Sequence, residues 1–290
     1  METNSTNPKL SVKKVAIGRN FFIVLKSNGE VWKAEIDNSA GYRYSMSPMR
    51  EFSNIIDIAA GFKHIMVLDK YGDVAFSGEE CEGTLWHGAE CIAACEAHSA
   101  IIRNDGSVYE AAIGNAWEIK DYSKAVREWQ NIRQIALTFE CAFGLTDDGK
   151  LSATSWDGEG SELLFDTDKR IVQIDAFGAY YCNHFCAALF EDGTVNVKEI
   201  VCSGFRNCRD DVQRWINSLT DIKKVCCGFY PAVTALTNGG TLLFPDYETY
   251  VDMNGKQVRQ LENIVDMDAN FEHVVAVDNI GSIIYLHLVR

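Results

Sequence analysis

The sequence predicts an all-β fold, specifically a seven-bladed β-propeller. Seven short apolar runs each end at a turn glycine, the intervals between these glycines are 34 to 47 residues, and each interval holds several strand-like segments. A repeat of about 40 residues with several strands is typical of a propeller, in which each blade is a four-stranded sheet. A lone blade cannot bury both faces, so residues 1–290 are predicted to form one closed domain. The turn glycines are Gly29, Gly72, Gly106, Gly149, Gly193, Gly240 and Gly281.

The clearest copy of the repeat is residues 54–76, NIIDIAAGFKHIMVLDKYGDVAF. Its first apolar residues alternate with polar or small ones and stop at Gly61, which predicts a strand. Residues 64–68 form a second apolar run. Gly72 supplies the positive φ that a tight turn requires, and residues 73–76 alternate again as a third strand. The unit is therefore predicted to be an antiparallel meander.

The ends of the chain suggest how the ring closes. The last copy stops at Leu288 after only three strands, so its blade lacks an outer strand. Residues 8–12 are the spare segment next to it in a closed ring. We expect Pro8 to Val12 to pair with residues 283–288, with residues 1–12 as the closing segment, because closure would cover an exposed sheet edge.

Composition excludes several classes of protein. The chain has 290 residues, 47% hydrophobic residues and a net charge of −14 from 27 basic and 41 acidic side chains. An acidic chain has no general attraction for nucleic acid or anionic membranes. The sequence has no apolar run of the length that spans a membrane, and its polar start METNSTNPKL does not resemble a signal peptide. We expect a cytoplasmic monomer.

The cysteines raise the question of a metal or disulfide site. Cys91 and Cys95 lie in one predicted strand and would be too far apart to share a zinc ion, and Cys226 and Cys227 would point to opposite faces. The group Cys182, His184 and Cys186 is more ambiguous, and Cys202 with Cys208 could close a small disulfide loop. We expect free thiols, no metal and no cofactor.

A smaller pattern precedes the inner strands. Apolar residues recur at a spacing of three, which predicts packing between blades and gives Trp129 and Trp215 a place in the core rather than against a ligand. Residues 210–219 also have helical spacing, so a short helix is expected there. The spaced residues are Met49, Phe52 and Ile55; Val126, Trp129 and Ile132; and Val258, Leu261 and Ile264.

Three stretches carry a family resemblance: IIDIAAGFKHIMVLDKYGDV, IAACEAHSAIIRNDGSVYE and VREWQNIRQIALTFECAFGLTDDGKL. They resemble repeats of the regulator-of-chromosome-condensation (RCC1-like) family, and the similarity extends from about Lys13 to the end of the chain. The short period is closer to that of compact bacterial members. This resemblance implies a seven-bladed propeller. It does not imply nucleotide exchange, because the chain has no long insertion like the wedge with which the family's exchange factor acts on its GTPase.

Four residues share one register in the repeat, eight residues before the turn glycine: His64, His98, Cys141 and His273. One residue per blade at a repeated position is typical of structural packing at the ring centre. No catalytic triad order, phosphate-binding glycine loop or paired-carboxylate motif is present. We therefore expect no catalytic residue and no enzymatic activity.

The loop between the first two strands of each blade is the more informative place. Five of the seven loops carry an aromatic residue at the tip, beside charges of both signs. Aromatic residues are effective anchors in protein interfaces, but the same side chains could also tuck down between blades, and the sequence leaves both possibilities open. The predicted partner-binding residues are Arg19, Phe62, Lys63, Phe139, Glu140, Tyr180, Phe229, Tyr230, Phe271 and Glu272.

Two functional hypotheses follow from these patterns. The first is a non-catalytic protein-binding module or scaffold that engages a protein partner through loops on one rim of the propeller. The second is an enzyme or small-molecule binder that uses the central channel, with His64, His98, Cys141 and His273 as candidate residues. The sequence does not name the partner.

Overall fold

The computed structural model is a seven-bladed β-propeller, as the repeat predicts. Each blade is an antiparallel sheet whose first strand lines a central channel. The structure describes residues 11–37, 43–78, 85–96, 98–112, 123–154, 160–162, 165, 168–178, 184–201, 204–228, 233–270 and 272–289.

Blades 1 to 5 follow one another along the chain. Blade 1 consists of Val12–Ile17 (β1), Phe21–Lys26 (β2), Val31–Asp37 (β3) and Arg43–Pro48 (β4). Blade 2 consists of Ile55–Ala60 (β5), His64–Asp69 (β6), Val74–Gly78 (β7) and Leu85–Trp86 (β8). Blade 3 has the described strands Ala89–Ala94 (β9), His98–Arg103 (β10) and Val108–Ala112 (β11), and the helix Ser123–Arg127 (α1) follows. Blade 4 consists of Ile132–Leu137 (β12), Ala142–Thr146 (β13), Leu151–Thr154 (β14) and Gly160–Glu162 (β15). Blade 5 consists of Ile171–Phe177 (β16), His184–Phe190 (β17), Val195–Val201 (β18) and Gly204–Asn207 (β19).

The last two blades share a segment of chain. The helix Asp210–Ser218 (α2), which the sequence predicts, precedes them. Next come Ile222–Cys227 (β20), Val233–Thr237 (β21), Leu242–Leu243 (β22), Thr249–Asp252 (β23), Gln257–Val258 (β24) and Gln260–Leu261 (β25). The chain ends with Ile264–Asn270 (β26), His273–Asp278 (β27) and Ile283–Val289 (β28). Blade 6 has the order β20-β21-β22-β25, and blade 7 has the order β26-β27-β28-β23-β24.

The pairing of this shared segment shows that the expected closure of the ring by residues 8–12 is wrong. The final strand β28 pairs on one side with β27 and on the other with β23, with Tyr250 opposite Leu288. The missing outer strand therefore comes from the β23–β24 hairpin, which leaves blade 6 between β22 and β25. Val12 belongs instead to the inner strand of blade 1, where it pairs with Lys26. Pro8 lies outside the described residues.

All seven predicted turn glycines have positive φ, between 73° and 88°. Five of them also join neighbouring blades, because their carbonyls accept the N–H that begins the next inner strand; these are Gly29, Gly72, Gly106, Gly193 and Gly240. Gly29 accepts from Ile55 at 3.3 Å, and Gly106 accepts from Ile132 at 3.1 Å. A Cβ at Gly106 would lie 2.7 Å from the Cα of Asn131. Glycine is thus required here both by the backbone conformation and by the close approach of the next blade.

The core is divided among the junctions between blades. Among the described residues there are seven clusters of buried apolar side chains, one at each junction. At the junction of blades 7 and 1, the ring of Phe22 lies 5.0 Å from that of Tyr44 and 6.3 Å from that of Tyr285. The residues spaced by three pack in these clusters, and Trp129 and Trp215 lie against them as predicted.

None of the helices in the described ranges is long and apolar enough to cross a membrane.

Candidate functional site: the loop face and the channel

The loops that join the first and second strands lie on one face of the ring, which we call the loop face. The opposite face carries the turn glycines and is called the turn face. Of the ten predicted contact residues, six are described: Arg19, Phe62, Lys63, Phe139, Glu140 and Glu272. Tyr180, Phe229, Tyr230 and Phe271 lie outside the described residues.

The described tips of blades 1 to 3 form a connected surface. Arg19 is exposed, and its guanidinium carbon lies 4.4 Å from the centre of the partly exposed Phe62 ring. The N–H of Arg19 donates to the carbonyl of Phe62 at 3.3 Å, and the N–H of Phe62 donates to the carbonyl of Glu96 at 3.0 Å. Lys63 is exposed beside them. Backbone bonds between consecutive blades therefore hold this cation and ring in place, and we call Arg19, Phe62 and Lys63 the rim surface.

At the tip of blade 4 the aromatic side chain is buried between blades, which is the second possibility that the sequence left open. Phe139 is 7% exposed, and its ring stands edge-on to that of His98 at 6.4 Å. Its N–H donates to the carbonyl of Gly178 in blade 5. Glu140 is also buried and lies 3.1 Å from the Nε2 of His184. Both side chains join neighbouring blades, which is the packing alternative that the sequence left open; whether these two residues contact a partner stays a prediction.

Glu272 takes an intermediate position. Its side chain is partly exposed, and its carbonyl accepts the N–H of Leu288 at 2.6 Å. Its carboxylate also acts on His287, whose pKa is lowered by burial while the negative charge of Glu272 opposes that shift. Whether this part of the loop face contacts a partner stays a prediction.

The central channel is a narrow cavity of about 170 Å³, lined by the inner strands of all seven blades. Burial raises the pKa of Glu96 to about 7, with the charge of Arg19 opposing the shift. Burial and the nearby charge of Asp268 raise the pKa of Asp175 to about 7. Both aspartates accept a main-chain N–H from the next blade: Asp175 from Cys227 at 2.7 Å, and Asp268 from Ile17 at 2.8 Å. These carboxylates therefore link blades.

Links of this kind recur at the third position of the inner strands, a feature that sequence reasoning missed. Gln134 exchanges two hydrogen bonds with the main chain of Ile174, and Gln173 does the same with Val225. Asp266 accepts the N–H of Val15. The signal was a charged or amide residue two positions after the start of six of the seven inner strands, where a strand facing a dry core would carry an apolar one; the exception is Cys91 in blade 3.

The four residues proposed for a catalytic channel are buried between strands and do not line the cavity. His64 Nε2 lies 2.8 Å from Ser99 Oγ, and burial lowers the pKa of His64 to about 4. His98 Nδ1 lies 2.5 Å from Glu110 Oε1. A substrate could not reach the His64 and Ser99 pair, because both side chains are at most 2% exposed.

The remaining two members of this register are equally enclosed. His273 Nδ1 lies 2.7 Å from the hydroxyl of Tyr285, and burial lowers its pKa to about 4. Cys141 is fully buried. The repeated position thus serves packing and hydrogen bonding within and between blades, as the sequence indicates.

Seven of the cysteines lie in the described part of the chain. Cys91, Cys186, Cys226 and Cys227 are free thiols. Within the described ranges no group of three or more His, Cys, Asp or Glu side chains could hold a metal ion. Cys182 and Cys202 lie outside the described residues, so the ambiguous group around His184 and the possible disulfide stay predictions.

No protein-family model matches the chain. It is 25% identical over 246 residues to the regulator of chromosome condensation of Drosophila melanogaster, a match that covers 69% of this chain and 45% of that relative. The chain thus spans less than half the length of this relative.

Solved structures show the same fold. Human WBSCR16 has a TM-score of 0.64 at 16% identity, covering 93% of this chain and 88% of its own. Prp20p of Saccharomyces cerevisiae, which was described with its binding to Gsp1p and histones, has a TM-score of 0.64 at 14% identity and covers 96% and 82%. The yeast RCC1 protein Prp20 bound to Kap60 has a TM-score of 0.52 at 17% identity and covers 94% and 69%. The chain is an RCC1-like seven-bladed β-propeller, which confirms the resemblance read from its repeats.

Proposed function

We propose that this chain is a non-catalytic protein-binding module that engages a protein partner through the rim surface and the neighbouring loops of the loop face. One observation carries the proposal: an exposed arginine lies on an aromatic ring, and both are fixed by hydrogen bonds between the loops of three consecutive blades. A preorganised aromatic and arginine pair is the kind of anchor that dominates protein interfaces, because little conformational entropy is lost on binding.

The comparisons support the general class of this function. Prp20p, which has the same fold, was described with two kinds of protein partner and in a third complex with Kap60. These partners belong to that protein, and its low identity to this chain transfers only the fold. The channel hypothesis has less support, because its four candidate residues are buried away from the cavity.

Affinity capture from an extract of the native cell tests the proposal. The immobilised wild-type chain is compared with Phe62→Ala combined with Lys63→Glu, and captured proteins are identified by mass spectrometry. The matched control is Tyr71→Ala combined with Lys70→Glu, a cation and ring pair on the turn face. Tyr71 is 72% exposed, and Lys70 Nζ lies 5.0 Å from the centre of the Tyr71 ring. We expect a partner that the wild type and the control capture and the rim variant loses. The proposal would be contradicted if the rim variant captured every partner that the wild type captures.

A further inference from the structure

The inner strands of all seven blades share an irregularity on the turn face. In each, the pairing with the second strand shifts by one residue between the first and third positions, so the second residue is a β-bulge. Because the inner strands surround the channel, these second residues form a ring around its mouth, which we call the bulge ring. The bulge ring consists of Lys13, Ile56, Glu90, Arg133, Val172, Lys223 and Val265.

The charge of the bulge ring differs from that of the whole chain. Three basic residues and one acidic residue leave it a net charge of +2, whereas the chain as a whole carries −14. None of the ion pairs in the described part of the chain involves the three bulge cations. At the next position the cations are neutralised, since Lys14 pairs with Asp57 at 2.5 Å and Lys224 with Asp266 at 2.6 Å. The positive charge is thus concentrated at the mouth.

Each cation is followed in blade order by an aliphatic side chain, of which Ile56 and Val265 are exposed and Val172 is partly buried against the core. In blade order, Lys13 precedes Ile56, Arg133 precedes Val172, and Lys223 precedes Val265. Ile56 is 43% exposed and Val265 is 45% exposed, and each follows a bulge-ring cation in blade order. A partner that covers them would gain hydrophobic free energy while its charges meet the cations.

Two of the cations are held in position. Lys13 Nζ donates to the carbonyl of Ile56 at 2.7 Å, and Arg133 Nη2 donates to the carbonyls of Ile171 and Val172 at 3.0 and 3.1 Å. These bonds fix the side chains without neutralising them, so little entropy would be lost when an anion binds. Carboxylates also occur on this face in the turns, and the charge of Asp147 acts on Arg133. Asp69 and Asp278 each accept two N–H groups of their own turns.

We propose that the bulge ring is a second docking site, whose occupant is a segment of a protein partner carrying acidic and aliphatic side chains. The acidic side chains would lie against Lys13, Arg133 and Lys223, and the aliphatic side chains would cover Ile56, Val172 and Val265. Opposite charges would set the register and speed association, while the aliphatic contacts would hold the complex. The site lies on the face opposite the rim surface and does not depend on it.

A phage-displayed library of random short peptides, panned on the folded wild-type chain, tests this inference. We expect the enriched peptides to combine Asp or Glu with Leu, Ile or Val. In fluorescence anisotropy, the affinity of such a peptide should fall at least about tenfold in Lys223→Glu and in Ile56→Ser. These two positions serve the test because their side chains are exposed, whereas Lys13 and Arg133 also bond to the neighbouring blade.

Two control variants make the result specific. Leu85→Ser alters another exposed aliphatic residue, 51% exposed on an outer strand, and Phe62→Ala alters the rim surface. Both should bind the peptide as the wild type does, so failure of the rim proposal would not affect this outcome. The inference would be overturned by enrichment of basic peptides, by no enrichment over a bare surface, or by affinity unchanged in Lys223→Glu or Ile56→Ser. Lys223-dependent binding of a labelled single-stranded DNA without acidic peptides would also overturn it.

Discussion

The two faces of this propeller are built under different constraints. On the turn face every blade has the same glycine at positive φ, and every inner strand has a β-bulge at its second residue. On the loop face, equivalent tips behave differently, since Phe62 remains partly exposed under Arg19 while Phe139 is buried against His98. Uniform geometry thus holds the blades together on one face, and the other face is free to vary in its surface.

This contrast separates residues that serve the fold from residues that can serve recognition. A residue that repeats in every blade serves the fold, as the turn glycines do. A residue that varies between equivalent loops can serve recognition, provided that it is exposed. Substitutions of matched residues test this distinction, because it predicts different losses of stability for them.

The largest effect is expected within the loop face itself. Phe139→Ala should lower the free energy of unfolding by about 3 to 5 kcal/mol, because a buried ring is lost and a cavity is left between blades. Phe62→Ala, at the equivalent tip, should cost about 1 kcal/mol or less, because its ring is partly exposed. Urea denaturation of both variants measures the difference. Equal losses of unfolding free energy would mean that the two tips play the same structural role, which would contradict the distinction.

A smaller effect is expected from two glycines of the turn face. Gly106→Ala and Gly281→Ala both place a Cβ on a residue at positive φ, 73° and 81°. The backbone strain alone should cost about 1 to 2 kcal/mol in each. At Gly106 the new Cβ would also meet Asn131, whereas at Gly281 it meets no described atom within 4 Å. Gly106→Ala should therefore lower the free energy of unfolding by a further ~1 to 3 kcal/mol.

Chemical denaturation of both glycine variants checks this. The same loss in both would show that the contact with the next blade contributes nothing, and that the turn face is uniform for reasons of backbone conformation only.

The smallest effect concerns the channel. The pKa of Asp175 is raised to about 7 in the folded chain, so the folded state binds this proton more tightly than the unfolded state does. The stability that this proton contributes is therefore complete below about pH 4 and is lost as the pH rises through about 7. Asp175→Asn keeps an acceptor for the N–H of Cys227 and removes the charge, so it should raise stability at pH 8 by about 1 kcal/mol.

The carboxylate keeps some contact with channel solvent, which limits the size of this effect. Thermal unfolding of the wild type and Asp175→Asn from pH 5 to about pH 8 measures it. A variant that is less stable than the wild type at pH 8 would show that the charged carboxylate is the form that holds Cys227.

Much of the fold was predictable because it depends on local signals that recur. The turn glycines and the apolar runs recur in every blade and the residues spaced by three recur at three junctions, and the structure confirms all three predictions. The outer strand of the last blade was not predictable, because Thr249–Asp252 and residues 8–12 are both short and only tertiary pairing decides between them. Likewise, Phe62 and Phe139 occupy the same place in the repeat, and only the packing of the next blade determines which ring is buried.

The bulge ring gave no sequence signal of its own, because a one-residue shift in pairing is set by two strands together. Read from the sequence, Ile56 and Val265 look like ordinary strand residues. Their exposure follows from the bulge, which moves the second residue out of the alternation that would otherwise bury it.

The affinity of a captured protein partner shows whether the rim surface binds it. Isothermal titration calorimetry should compare the purified partner with the wild type, Phe62→Ala and Tyr71→Ala, all shown to be folded by circular dichroism. Phe62→Ala should weaken binding by about 1 to 4 kcal/mol with little loss of stability, while Tyr71→Ala leaves the Kd unchanged. An unchanged Kd for Phe62→Ala would contradict the proposed role of the rim surface.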